Sequence, residues 1–290
     1  IFPMMDALSG RALVNAARDY GRARVWGTVG FILVSLLLQA SALFEGADAR
    51  FFFIAFMTAF AVKTASMPLA PAALPHEVDG APFATTRVPT AYIRFLAVGF
   101  LGNIGFSLYR SFGSLYFAEI VGVHRVSGMF VVAAIAELPI LYFGGRFLMR
   151  LGHRRMLIIA QLSILLRLSL LAFMPHALPL LLSQLTHAFC YGFYLIAGVD
   201  WVNRTIGPKK RALGMGMFMA ISYSGSQFIG SVLGGFLLEA GGFGLLFGSG
   251  ILFPAAGLIW IMADPRIASF DHLDAGGGNS LPFGTSRSDM

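Results

Sequence analysis

The chain has a single cysteine, Cys190, among 290 residues. That excludes an intrachain disulfide and any zinc site built on cysteine thiolates. Charge is also scarce: Asp, Glu, Lys and Arg make up 12% of the sequence, about half of the roughly 25% usual in a soluble domain. Acidic residues are the scarcer sign, 14 against 21 Lys and Arg. No nucleotide-binding glycine loop, H-E-x-x-H or G-x-S-x-G pattern occurs. Cys190 has no activating neighbour beyond His187, three residues earlier. The chain therefore does not read as an enzyme, and no cofactor is implied.

Hydrophobic residues take the place of charge. They form 57% of the chain, 28 of them Phe, and mean hydropathy is +0.75. They fall in runs of roughly 20, the length that crosses a hydrocarbon core of about 30 Å as a helix. The expected fold class is an all-α polytopic membrane protein, because an isolated apolar segment can close its backbone hydrogen bonds in lipid only as a helix. Spans are expected at 22–44, 51–70, 91–117, 127–148, 155–174, 177–200, 212–237 and 243–263, with 1–8 the tail of another. The sequence opens at Ile1, already inside apolar residues and with no signal peptide in view, which reads as an N-terminally truncated chain.

The cations sort to one side. Arg11, Arg18, Arg22 and Arg24 lie about the first loop, Arg87 between the third and second runs, Arg146, Arg150, Arg154 and Arg155 about the next, and Arg204, Lys209, Lys210 and Arg211 about another. The alternate loops hold little beyond Arg50 and Arg125. The positive-inside rule places the basic loops and the C-terminus in the cytoplasm, and the net charge of +7 then needs no nucleic-acid partner. The proline-rich stretch 71–90 divides the chain into an incomplete first bundle (1–70) and a second bundle of six spans (91–263), and 264–290 reads as a disordered cytoplasmic tail.

Charges inside the spans call for a reason, since each costs roughly 2.5–3.5 kcal/mol near mid-bilayer on insertion scales. Arg167 lies twelve residues past Arg155, about 18 Å into its span. Glu137 and His187 lie at comparable depth, so Arg167 is the expected neutraliser of Glu137, with His187 able to share a proton. Packing is the plainer alternative for His187, and a structural ion pair for Arg167. Arg110 either snorkels outward or meets an anionic solute. Tyr109, Tyr116, Tyr191, Tyr194, Tyr223 and Gln227 offer hydrogen bonds or ring faces, or simply pack. Asp200 and Arg204 read as an i,i+4 pair. In D-Y-G-R-A-R-V-W-G at 19–27, Arg22 suits an inside anchor, whereas Arg24 is the site candidate because Asp6 gives it a charge partner across a helical hairpin.

This stretch resembles the start of the fifth helix in the lactose permease branch of the major facilitator superfamily. More closely, the chain resembles the phenylpropionate permease family of bacterial inner membranes, through P-M-M-D-A-L at 3–8, A-E-L-P at 136–139, G-G-R-F-L-M-R-L-G-H-R-R at 144–155, Q-L-T-H-A-F at 184–189, D-W-V-N-R at 200–204 and the final G-x-x-x-G-G helix. The resemblance implies two six-helix halves and alternating access. It places Asp6 and Arg24 on the galactoside-binding pair of lactose permease, and Arg167 and His187 on its ninth-helix Arg and tenth-helix His. Cys190 stands where that permease has an essential carboxylate, Gln184 where it has a Lys, and Ser107 and Arg110 lie around its seventh-helix aspartates. The expected function is a secondary transporter, a proton symporter importing an aromatic or other carboxylate as a monomer. A sugar or nucleoside symporter of the same fold is the alternative, and a non-transporting membrane sensor or scaffold a third.

Overall fold

The structure, a computed structural model, describes residues 25–36, 58, 62, 89–206 and 211–267. Asp6, Arg24, the 71–88 part of the linker and the tail beyond 267 lie outside the described residues. The helices are α1 (Val25–Leu36), α2 (Thr90–Val121), α3 (Val126–Phe173), α4 (Ala177–Leu185), α5 (Tyr194–Thr205), α6 (Arg211–Met219), α7 (Ser226–Gly250) and α8 (Leu252–Ala263). Two π-helical turns, Ala188–Phe193 and Ala220–Gly225, join α4 to α5 and α6 to α7. Among the described residues there is no strand.

Helix α3 holds 48 residues, about 72 Å at 1.5 Å per residue, more than twice the thickness of a hydrocarbon core. It crosses twice instead. The separately expected spans 127–148 and 155–174 form one element that breaks at Gly152 (φ 72°, ψ 166°), a backbone region open essentially to glycine alone. The residues on either side, Leu151 and His153, are already helical, so no loop intervenes. The run from α6 to α8 folds back in the same way at Gly242 (φ 68°), ending the helix near 241 and starting its return at 243. Between 90 and 263 the described chain thus forms six helical legs. The Gly152 turn lies on the end that carries Arg146, Arg150, Arg154, Arg155, Arg204 and Arg211.

Helix α2 sits in the middle of this bundle, with Phe95, Val98, Phe106, Leu108 and Phe117 fully buried along its length. Small residues let α7 and α8 approach it. A Cβ on Gly105 would meet the Gly250 carbonyl oxygen at 2.8 Å and Pro254 Cδ at 2.9 Å, and one on Gly230 would collide with the Ser107 hydroxyl. Helices associate in lipid through such close packing and through polar staples. Here the staples are Tyr92 Oη to the Gly214 carbonyl (2.6 Å), Gln161 Nε2 to the Val98 carbonyl (3.0 Å) and Ser111 Oγ with Ser231 Oγ (2.8 Å).

The basic end is clasped by charge. Asp200 Oδ2 lies 2.7 Å from both His153 Nε2 and Arg204 Nε, so the expected Asp200–Arg204 pair forms and also captures the histidine at the Gly152 turn. Arg94 Nη1 meets Asp264 Oδ2 at 3.0 Å, and Arg154 Nη2 donates to the Ile261 carbonyl at 2.7 Å. From the first part of the chain, Ile32 of α1 packs against Val131, Ala134 and Leu138 of α3.

Replacing Gly152 by Ala forces an L-residue into its backbone region and should cost roughly 1–3 kcal/mol. Gly235→Ala, in a helical position facing open space, should be neutral or slightly stabilising. Thermal unfolding of the full-length gene product in detergent checks both. Equal midpoints for the two variants would contradict the assignment of Gly152 as the turn.

Candidate functional site

The polar residues buried at mid-bundle divide into two groups, one occupied with holding helices together and one gathered around a shared set of rings. Tyr116 belongs to the first. Its hydroxyl donates to the Leu171 carbonyl (2.7 Å), and its ring packs on Phe243 and Phe247, centroids 4.8 and 5.1 Å away. Tyr194 is buried with its hydroxyl 2.7 Å from Ser222 Oγ. Gln227 Nε2 reaches Ser111 Oγ at 2.6 Å and Ser231 Oγ at 3.1 Å, tying α7 to α2. Gln184 Oε1 accepts from Tyr109 Oη at 2.8 Å, while its amide reaches Ser183 Oγ at 3.0 Å. These contacts engage polar atoms of Tyr116, Tyr194, Gln227 and Gln184 in holding helices together.

Arg167 has no exposed surface. Its guanidinium lies over the Tyr109 ring, 4.2 Å from the centroid, donates Nε to Thr186 Oγ1 at 3.0 Å and Nη2 to the Gln184 carbonyl at 3.3 Å. Nη1 is buried with no hydrogen-bond partner. The expected pairing with Glu137 is replaced: among the described residues His187 is the group at ion-pair distance, Nε2 to Oε2 3.8 Å. The difference follows from the short segment after α4. Thr186 and the Gln184 carbonyl, at the end of that helix, take up the guanidinium of Arg167 on the second leg of α3 in place of Glu137 on the first.

The second group is contiguous. His187 stacks on Tyr191, centroids 5.5 Å apart and planes 14° apart, and lies 5.7 Å from the Phe106 ring. Tyr191 meets Tyr223 edge-on at 6.1 Å. Arg110, partly exposed, spans the gap with its guanidinium carbon 5.4 Å from Phe106 and 5.9 Å from Tyr223. Its Nη2 lies 3.5 Å from the Tyr223 carbonyl, and its Nε is buried without a partner. Glu137 closes the group from α3, two residues before Pro139. That proline has no N–H to give the Ile135 carbonyl and so loosens the helix beside the carboxylate.

Tyr191 and Tyr223 each lie in one of the two π-helical turns. A π turn inserts an extra residue per hydrogen-bonded ring and recurs at functional sites. Here each turn lets a tyrosine face the neighbouring span. Sequence reading did not find these turns, nor Phe106, Thr186 or His153. Phe106 had a signal, one helical turn before Arg110, where side chains meet. The π turns had none, since nothing in A-F-C-Y-G-F or A-I-S-Y-S-G distinguishes them from ordinary helix. Among the described residues no cluster of His, Cys, Asp and Glu suits a metal ion.

Residues 1–248 match the family described as MFS_1 like. The chain belongs to the MFS_1 like family. Its relatives are permeases of the major facilitator type, not enzymes. Nucleoside permease NupG of Escherichia coli (strain K12) is 24% identical over 260 residues, covering 81% of this chain and 62% of that protein. Xanthosine permease of the same organism is 25% identical over 264 residues, covering 81% and 62%. Maltose permease of Geobacillus stearothermophilus is 24% identical over 254 residues, covering 82% and 61%. The chain therefore spans about three fifths of the length of these relatives. A crystal structure of the nucleoside transporter NupG superposes with a TM-score of 0.69 at 20% identity, over 89% of this chain and 71% of that one. The MFS_1 like chain thus shares the major facilitator fold and is a multi-pass membrane protein.

Arg167→Lys keeps the charge but cannot hold Thr186 and the Gln184 carbonyl together. It should lower stability by roughly 1–3 kcal/mol. Thr186→Val should cost about 1 kcal/mol by removing the acceptor for Nε. Thermal unfolding in detergent measures both, and a Lys variant as stable as the parent would show that the fork geometry is not what holds Arg167.

Proposed function

We propose that the protein is a secondary transporter of nucleosides or related sugar-bearing solutes, coupled to protons and working by alternating access between two helical bundles. The observation that carries this reading is the pair of buried Glu137 and partly exposed His187, 3.8 Å apart, set beside the rings of Phe106, Tyr191 and Tyr223 at mid-height in the bundle. A carboxylate can accept from two neighbouring sugar hydroxyls at once. Aromatic rings give a flat base an apolar surface with defined stacking geometry. A histidine beside a carboxylate gives a proton two neighbouring groups between which it can pass.

The printed names of the relatives support the same direction, since they are carriers of nucleosides, xanthosine and maltose. They favour the polyhydroxylated solute over the aromatic carboxylate implied by the likeness to phenylpropionate permeases. The second reading keeps one specific support, the guanidiniums of partly exposed Arg110 and buried Arg167, which suit an anionic solute. In either case the carrier sits in a bacterial inner membrane as a monomer, with its basic loops and C-terminus cytoplasmic under the positive-inside rule. Asp6 and Arg24, which lie outside the described residues, are assigned to the same site by the likeness to lactose permease alone.

Uptake of labelled uridine and maltose by cells expressing the full-length gene product tests the proposal. Glu137→Gln should reduce accumulation against a gradient by about tenfold or more, the scale of a lost charge-assisted hydrogen bond, while the protein still reaches the membrane. Undiminished proton-driven accumulation in that variant would remove Glu137 from the coupling site. Uptake of phenylpropionate with no uptake of uridine or maltose would replace the substrate class.

A further inference from the structure

The guanidiniums of Arg110 and Arg167 lie 5.4 and 5.6 Å from the centroid of the same ring, Phe106. Two cations so close repel each other, and the low dielectric of a bundle interior strengthens the repulsion. Among the described residues neither has a carboxylate within ion-pair distance, and Glu137 lies with His187 instead. Among the described residues both carry a buried nitrogen with no hydrogen-bond partner, Nε of Arg110 and Nη1 of Arg167. Buried polar groups of a native structure are ordinarily satisfied, and an unpaired charge is costlier than an unpaired dipole. The wall of the site formed by this bundle is therefore poised for an anion that reaches it from outside the bundle.

We infer that Arg110 makes the site selective for nucleosides whose base is acidic and rich in carbonyl oxygens, so that the base enters as a planar anion beside Phe106 and Tyr223. The inference rests on the nucleoside reading above. A deprotonated oxopurine spreads its charge over oxygen and nitrogen atoms in the ring plane. That edge matches the planar fork of a guanidinium, which places two parallel N–H groups on two acceptors. Arg110 is the contacting group because it is partly exposed at the ring cluster. Arg167, fully buried behind Phe106 and Tyr109, adds positive potential without touching the ligand. A base stacked near Tyr191 and Tyr223 would leave its sugar on the side of Glu137 and His187. A ligand with one planar negative edge and one hydroxyl edge thus finds a partner for each within a single wall, which neither a neutral nucleoside nor a simple aromatic carboxylate does.

The deciding measurement is equilibrium binding of xanthosine, inosine and phenylpropionate to the purified full-length gene product in detergent. Xanthosine and inosine differ by one carbonyl oxygen on the base and by the ionisation it brings near neutral pH. Xanthosine should bind about tenfold or more tighter than inosine, the scale of one charge-assisted contact. In Arg110→Gln that ratio should collapse towards one, and Arg110→Lys should restore part of it. Equal affinities in the wild-type protein, or a ratio untouched in Arg110→Gln, would overturn the inference and leave the nucleoside reading standing. Binding of phenylpropionate with no binding of either nucleoside would overturn both.

Discussion

Hydrocarbon offers no hydrogen bonds, and nearly everything in this structure follows from that. Each backbone N–H and C=O within the apolar layer must find its partner inside the protein, so the described chain is helical almost throughout. Departures from helix are confined to ends and turns, or to places where a neighbouring span supplies cover. Gly152 and Gly242 let the chain reverse without spending a loop on it. The π turns keep their backbone paired while changing where side chains point.

The same constraint explains how the ionisable groups are distributed. Charges at the basic end are compensated side chain to side chain, as Asp200 is by His153 and Arg204 at 2.7 Å each. Those at mid-bundle are compensated more thinly, by ring faces and carbonyls, as with Arg167 over Tyr109. Rings and carbonyls stabilise a guanidinium without discharging it. Among the described residues, the interior consequently keeps a positive character that an ion pair to either guanidinium would have removed. The chemistry of the site comes from this uneven compensation.

Much of the fold was legible in the sequence, because apolar runs of about 20 residues are set by the thickness of the solvent they cross. The spans after residue 90 lie where the runs do, and the glycine turns explain why two pairs of them form continuous elements. The family resemblance reached the right superfamily through ordered short motifs. Its finer branch pointed to aromatic carboxylates, whereas the relatives carry nucleosides, xanthosine and sugar. Of the site, depth along each helix was legible and azimuth was not. Depth brought Glu137, Arg167 and His187 to one level, but their pairing depended on the direction each side chain leaves its helix. Competing local partners also mattered, since Thr186 holds Arg167 away from Glu137. The π turns left no mark in residue type, so the facing of Tyr191 and Tyr223 could not be anticipated from spacing by threes and fours.

Those turns carry an implication for the history of the site. A six-residue π segment differs from an α-helical one by a single added residue, which the surrounding helix absorbs as a local bulge rather than by shifting its whole register. Tyr191 and Tyr223 lie in two such segments on neighbouring spans. An ancestral bundle with regular helices could therefore have acquired a facing pair of aromatic side chains through two one-codon insertions, leaving the helix packing above and below them intact. Kinship between such carriers is then better traced by aligning their bulges than by aligning their tyrosines.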